Sequence, residues 1–207
     1  MDFAFTDEQL MIAETVQQFF AENATSKRTR AAMENGGIDR QLWIDFCQEL
    51  GLSGIIIPEV HGGAGLGHVE LAMVAEAAGA QVAALPLLNL AISSAMIAAG
   101  GSEDQKQNWL PKLISGEAIG AAAGNDTIKY DGNMLNGSFE LVAHANIADV
   151  FVLAHPDQAW IVEKDAPGVS ITTFTTMDQT RPLSTVTLKD VEGDPFADFE
   201  PAMHASQ

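Results

Sequence analysis

The spacing of apolar residues changes period near residue 118, so no single regular architecture accommodates both halves of this 207-residue chain. Before that point the period is helical. Thr6 and Gln9 form a capping box, with Phe5 and Leu10 at the positions of a hydrophobic staple. Leu10, Ala13, Val16 and Phe20 follow as an apolar stripe. Asp39 is placed to cap a second helix, whose inner face carries Leu42, Trp43, Phe46 and Leu50 and which Gly51 stops. A third helix is expected from Val69 to Ala78, ending at Gly79, and a fourth from Pro86 to Gly100-Gly101. Ser102 and Gln105 repeat the capping box and open a helix through Trp109 and Leu113 to Gly116.

After Ala118 the period shortens. Thr127–Tyr130, Asp131-Gly132 and Asn133–Leu135 read as a hairpin, because Asp-Gly readily takes the positive φ of a tight turn. Asn136-Gly137 reads as a second turn. Phe139–Ala143, Val150–Ala154, Ala159–Glu163, Val169–Thr175 and Ser184–Leu188 are short β-type runs between turn residues. The expected fold is therefore α+β: an all-α domain over 1–118, a small antiparallel barrel or sandwich over 119–191, and a loose acidic tail over 192–207.

Charge removes several functions. With 10 basic and 28 acidic residues the chain carries −18, which opposes a nucleic-acid backbone or an anionic membrane. Each side of residue 118 carries −9, so the acidity reads as a solvated surface rather than a binding tail. The first residues lack the cationic segment of a targeting signal. From Ala77 to Ser102 there is no charge, but Pro86 and several polar residues interrupt the stretch, which reads as a buried helix and not a membrane span. A cytoplasmic protein with no membrane partner is expected. A lone Cys47 excludes an intrachain disulfide framework and reads as a small buried residue.

No motif in the chain specifies chemistry by itself. Ile55–Ile57 before Gly63-x-Gly65-x-Gly67 has the outline of a dinucleotide fingerprint. Pro58 and several residues intervene, however, and helices follow, so a connecting loop is the better reading. The five histidines (His61, His68, His144, His155, His204) show no metal-ligand spacing, and no metal site is expected. There is no Gly-x-Ser-x-Gly turn for a serine nucleophile.

The order of segments says more. Met1–Phe3 with Thr6–Gln9, Trp43 with Glu49–Leu52, Ile57–Glu59 and Gly62-Gly63-x-Gly65 resemble the first domain of an acyl-CoA dehydrogenase. Gly101–Lys106 continuing through Leu110–Glu117 is similar to the family's passage into its β-domain. Asn136-Gly137, Ala148-Asp149, Ala166–Val169 and Ser184–Val191 resemble that β-domain in order. The resemblance implies an oxidoreductase that oxidises the Cα–Cβ bond of an acyl-CoA thioester, in fatty-acid or steroid side-chain β-oxidation. In that family a glutamate removes the α-proton and FAD accepts the β-hydride. The flavin lies between the β-domain and a C-terminal four-helix domain in an oligomer.

Three departures qualify what the resemblance implies. The C-terminal four-helix domain has no counterpart here, and no residue matches the family's catalytic base. The flavin-side strand, Thr-Glu-Pro-x-x-Gly-Ser-Asp in the family, falls at Ala121–Asp126, leaving Gly124, Asn125 and Asp126 as cofactor-side candidates. The segment that packs on the flavin falls at Leu141, Val142 and Ala143, and Ala143 lacks the usual hydroxyl. These losses resemble the degenerate subunits of heteromeric bacterial acyl-CoA dehydrogenases, including those of steroid side-chain degradation. Expected partners are an acyl-CoA and an acyl-CoA dehydrogenase subunit, in a homo- or hetero-oligomer. A non-catalytic structural subunit and a shortened form of a longer active enzyme are the alternatives. Arg181, in Asp178-x-Thr180-Arg181-Pro182, reads equally as a phosphate or carboxylate ligand and as an ordinary ion-pair partner.

Overall fold

The computed structural model describes residues 4–199. Met1–Phe3, His204 and the 200–207 part of the expected tail lie outside the described residues. Six helices precede eight strands: α1 (Asp7–Asn23), α2 (Ser26–Glu34), α3 (Arg40–Gln48), α4 (His68–Ala80), α5 (Leu87–Gly100) and α6 (Glu103–Ser115). The strands are β1 (Gly120–Gly124), β2 (Lys129–Asp131), β3 (Met134–Ala143), β4 (Val150–His155), β5 (Gln158–Glu163), β6 (Val169–Thr173), β7 (Leu183–Glu192) and β8 (Asp194–Pro195).

The helix starts follow the capping chemistry. Both expected boxes form, Thr6 with Gln9 and Ser102 with Gln105, and Asp39 accepts from Leu42 at the head of α3. The staple pair does not close onto the core, for Phe5 and Leu10 are both exposed, and Phe19 joins Val16 and Phe20 inside. The pattern also misses α2. Its residues are strongly polar and bury only Thr29 and Ala32, so the helix rests on the Thr25 cap rather than on an apolar stripe.

Two four-stranded sheets form the second half, ordered β1-β4-β5-β8 and β2-β3-β7-β6, stacked as a sandwich and not closed into a barrel. The first is not purely antiparallel, because β1 runs parallel to β4 with Gly120 opposite Val150. A Gly-Ala-Ala-Ala-Gly strand carries no β-type signal. Tertiary packing imposes it: Gly120 lies so close to α5 that a Cβ there would sit 2.4 Å from the Ser93 hydroxyl. The β2–β3 hairpin turns through Gly132 at φ +57°. Asn136-Gly137 is not a turn. Both residues lie inside β3 at a register shift against β7, where Gly137 takes φ +140°.

The tail expected to be loose from Glu192 is held through its first residues. Glu192 ends β7, β8 pairs with β5, and Phe196 is buried. Gln105 donates to the carbonyls of Asp194 and Pro195, tying this segment back onto α6.

Three layers result. One face of the first sheet, through Val150, Val152 and Ile161, joins the same core as Phe20, Trp43, Phe46 and Leu110 of the helices. The other face packs with the second sheet around Phe139, Phe151, Leu153 and Trp160. Burying each such large side chain contributes roughly 1.5–3 kcal/mol, so the shared core holds the helices and the first sheet together. Among the described residues no helix is long and apolar enough to cross a membrane.

Candidate functional site

Two regions carry the residues singled out on the cofactor side, and they stand at different places. Gly124, Asn125 and Asp126, at the end of β1, line a cavity of about 540 Å³ with Ile92 and Met96 of α5 and with His155 and Pro156. Leu141, Val142 and Ala143 end β3 and do not line that cavity.

Parallel pairing with β4 aims the end of β1 at α5, which is why a Gly-Ala strand faces Ile92 and Met96. Gly124 leaves open space; a Cβ there would come no nearer than 3.8 Å to the Ala154 carbonyl. Asn125 is different, because its amide is largely engaged within the protein. Nδ2 donates to the Ser138 carbonyl (2.7 Å), and Oδ1 accepts from both the N–H and the hydroxyl of Thr127 (2.8 Å each). The Ser138 bond ties the end of β1 to β3, and one N–H of the Asn125 amide is left for a further partner. Asp126 is exposed.

At the other region, Glu140 and Leu141 together oppose the single residue Thr185, a bulge that turns Leu141 outward at φ +57° with 63% of its surface exposed. Val142 points into the core. The Ala143 carbonyl accepts from the side-chain amide of Asn89 on α5. The next residue, His144, is buried at φ +55°, and burial holds its imidazole below the ordinary histidine value. Its backbone N–H donates to the Pro182 carbonyl (2.8 Å), and Nε2 lies 3.4 Å from the Thr180 carbonyl. Asn89 and His144 were not singled out for a role from the sequence. The signal for Asn89 was present as one of the few polar residues inside the uncharged 77–102 stretch.

Whether these residues suit a flavin is decided by their donors. Asn125 has one amide N–H and its oxygen engaged, Ala143 has no hydroxyl, and its carbonyl already accepts from Asn89. Each missing hydrogen bond to a cofactor forgoes roughly 0.5–1.5 kcal/mol.

The glycine loop is a connection. Gly63 is packed so tightly that a Cβ would lie 2.0 Å from the Ile57 carbonyl oxygen, and Gly62 and Gly65 take positive φ. The start of α4 that follows is closed by its own glutamate: Glu70 accepts from the Gly67 N–H (2.9 Å) and from Gln9 (2.7 Å). A pyrophosphate would meet the Glu70 carboxylate at this helix start. Cys47 is buried, and burial pushes its thiol up to about 12. No cluster of His, Cys, Asp or Glu that could hold a metal ion occurs among the described residues.

Comparison with known proteins agrees with this architecture. The profile of the acyl-CoA dehydrogenase N-terminal domain matches residues 6–117. The mitochondrial isovaleryl-CoA dehydrogenase of Pongo abelii is 33% identical over 196 residues, covering 80% of this chain and 46% of that protein. Among solved structures, the ChsE4–ChsE5 complex from Mycobacterium tuberculosis superposes with a TM-score of 0.87 at 24% identity, over 99% of this chain and 61% of that one. A Tcur3481–Tcur3483 steroid ACAD variant gives a TM-score of 0.81 at 26% identity, over 97% of this chain and 60% of that one. The chain thus spans about half the length of the curated relatives it matches. Its profile match, its helical domain and its two-sheet sandwich together place it in one family: the chain belongs to the acyl-CoA dehydrogenases.

Proposed function

We propose that this chain is one subunit of a larger acyl-CoA dehydrogenase assembly, contributing to FAD-dependent α,β-dehydrogenation of an acyl-CoA thioester whose flavin is held largely by other protein segments. The observation that carries this reading is the state of its cofactor-side residues. Asn125 turns one amide N–H to Ser138 and its oxygen to Thr127, while Ala143 stands at the hydroxyl position and its carbonyl accepts from Asn89. FAD, where it binds, supplies the redox chemistry. This chain would contribute the α5 wall, the end of β1 and the fixed end of β3. The steroid ACAD similar to it bears two protein designations, Tcur3481 and Tcur3483, which supports a heteromeric arrangement.

The same occupied groups also favour a second reading, in which the chain is a structural subunit with no flavin of its own. Affinity purification from the native host separates both from an independent enzyme. A second acyl-CoA dehydrogenase polypeptide recovered in fixed ratio supports a subunit role. Recovery of this chain alone, active on an acyl-CoA, overturns it. Flavin analysis of the recovered complex, with this chain's cofactor-side residues substituted, distinguishes the contributing subunit from the structural one.

A further inference from the structure

Each sheet of the sandwich has two edges, and three of the four are closed or defended. β1 packs against α5, with Gly120 beside Ser93. β8 is two residues long and ends in Pro195, which has no N–H to donate. β2 is three residues long and carries Lys129 and Asp131. β6 has none of these defences. It lies at the edge of the second sheet, and its five residues, Val169–Thr173, include no proline and no charge. The uncharged run extends from Ala166 to Met177, in a chain with 10 basic and 28 acidic residues.

Hydrogen bonds at either end of β6 fix which of its backbone groups are free. The Lys189 N–H donates to the Gly168 carbonyl (3.1 Å), and the Phe174 N–H donates to the Leu183 carbonyl (2.9 Å). In an antiparallel pair alternate residues turn their polar groups to the same neighbour, so Ser170 and Thr172 also face β7. Ile171 and Thr173 therefore turn their N–H and C=O outward. The Val169 N–H already donates to the Ala166 carbonyl (3.1 Å), which bounds the open edge on its N-terminal side. Among the described residues, nothing meets the outward backbone groups of Ile171 and Thr173. The side chains sort by the same alternation. Val169 and Ile171 pack on the core between the sheets, while Ser170, Thr172 and Phe174 are exposed.

We infer that β6 is a self-association edge, to which a second copy of this chain adds its own β6, antiparallel about a two-fold axis at Thr172. In that register Ile171 of each copy faces Thr173 of the other, and every outward N–H and C=O of these two residues is paired. Thr172 meets Thr172, and Phe174 stands across from Ser170 of the other copy, so no charge enters the strand pair. A second copy fits better than an unrelated strand. The open edge is two residues long, and reciprocal pairing satisfies both strands at once, whereas a longer foreign strand would find no further donor before Ile171. The edge also carries no charge with which to select an acidic or a basic partner. Away from the edge the two bodies repel, because each carries −18. The inference uses β6 and none of the cofactor-side residues, so it and the subunit reading fail independently.

Sedimentation velocity of the full chain tests this. A monomer–dimer equilibrium is expected, with its midpoint falling to lower concentration as sodium chloride is raised and the repulsion is screened. Thr172→Glu sets two like charges on the axis and should weaken the dimer at least tenfold, at an exposed position that leaves the monomer folded by circular dichroism. Thr172→Cys reads the register. Directly opposed, non-hydrogen-bonded residues have Cα atoms about 4.5 Å apart, close enough for a disulfide, so mild oxidation should give a covalent dimer. Ser170→Cys faces Phe174 instead of itself and should cross-link at least tenfold more slowly; the native Cys47 is buried and does not compete. A chain that stays monomeric to about 1 mM in high salt overturns the inference. So does a dimer indifferent to Thr172→Glu, or equal cross-linking of the two cysteine variants. Association with a different polypeptide only, abolished by Thr172→Glu, assigns the edge to that partner and overturns the second copy as its occupant.

Discussion

Asn89 and Ala143 join the two halves of the molecule through one hydrogen bond, the buried α5 amide donating to the carbonyl at the end of β3 at 2.5 Å. Asn89 is one of three buried polar residues on a largely apolar helix, with Ser93 and Ser94, and this contact accounts for it. Asn89→Leu, similar in volume, withdraws the donor and should cost about 1–3 kcal/mol. Urea unfolding followed by circular dichroism measures it; an unchanged midpoint would show that the Ala143 carbonyl finds another partner.

Arg28 and Asp39 form a two-pronged ion pair, at 2.6 and 2.9 Å, between α2 and the cap of α3. The bond from Arg28, ahead of that from the Leu42 N–H, holds the Asp39 carboxyl below its ordinary 3.8. Because the folded value is depressed, the contribution is fully present above the unfolded value and is lost as pH falls through the folded one. Asp39→Ala should cost about 1–2 kcal/mol through the cap alone. Asp39→Asn should keep the cap and flatten the acid limb of stability below about pH 4. An acid limb identical to that of the unsubstituted chain would contradict this.

His144 titrates in the opposite chemical sense with the same pH direction. Burial disfavours its imidazolium and lowers it from 6.5, so the folded state prefers the neutral ring. Stability from this group is present above pH 6.5 and is lost as pH falls toward and through the depressed value, where the unfolded chain binds the proton more readily. His144→Asn tolerates the left-handed backbone and removes the titration. Its stability should therefore vary less than that of the unsubstituted chain just below pH 6.5, as thermal melts at matched ionic strength would show. Parallel pH profiles would remove His144 as the cause.

Cys47 should be inert while the chain is folded. With its thiol pushed up to about 12, almost none is thiolate at pH 8. A disulfide reagent such as dithionitrobenzoate should titrate one thiol in denaturant and none in the native protein within the same interval. Fast native labelling would mean that the α3–α6 contact opens.

The parts of the fold written in local chemistry were legible in advance: the Thr6–Gln9 and Ser102–Gln105 boxes, the Asp39 cap and the Gly132 turn all form as their residues dictate. What was hidden depends on distant partners. Nothing local in Gly120–Gly124 distinguishes a strand from an alanine-rich helix; the parallel pairing with β4 and the close approach of Ser93 decide it. Asn136-Gly137 has turn residues, but a bulge in β3 uses them. Phe196 follows an acidic, proline-containing run, yet the Gln105 side chain and the edge of β5 hold that segment in place. The candidate site was half legible. Positions 124–126 do line a cavity, whereas the occupation of the Asn125 amide and the pairing of Asn89 with Ala143 are tertiary facts.

The most direct test of the central claim is the flavin content of the purified chain, measured from its visible absorbance against protein concentration after incubation with excess FAD and removal of the unbound cofactor. With Asn125 largely engaged by Ser138 and Thr127 and Ala143 in place of a hydroxyl, the chain alone should retain far less than one flavin per molecule, and occupancy should rise only when an acyl-CoA dehydrogenase partner is added. Stoichiometric FAD retained by the chain on its own would contradict the account.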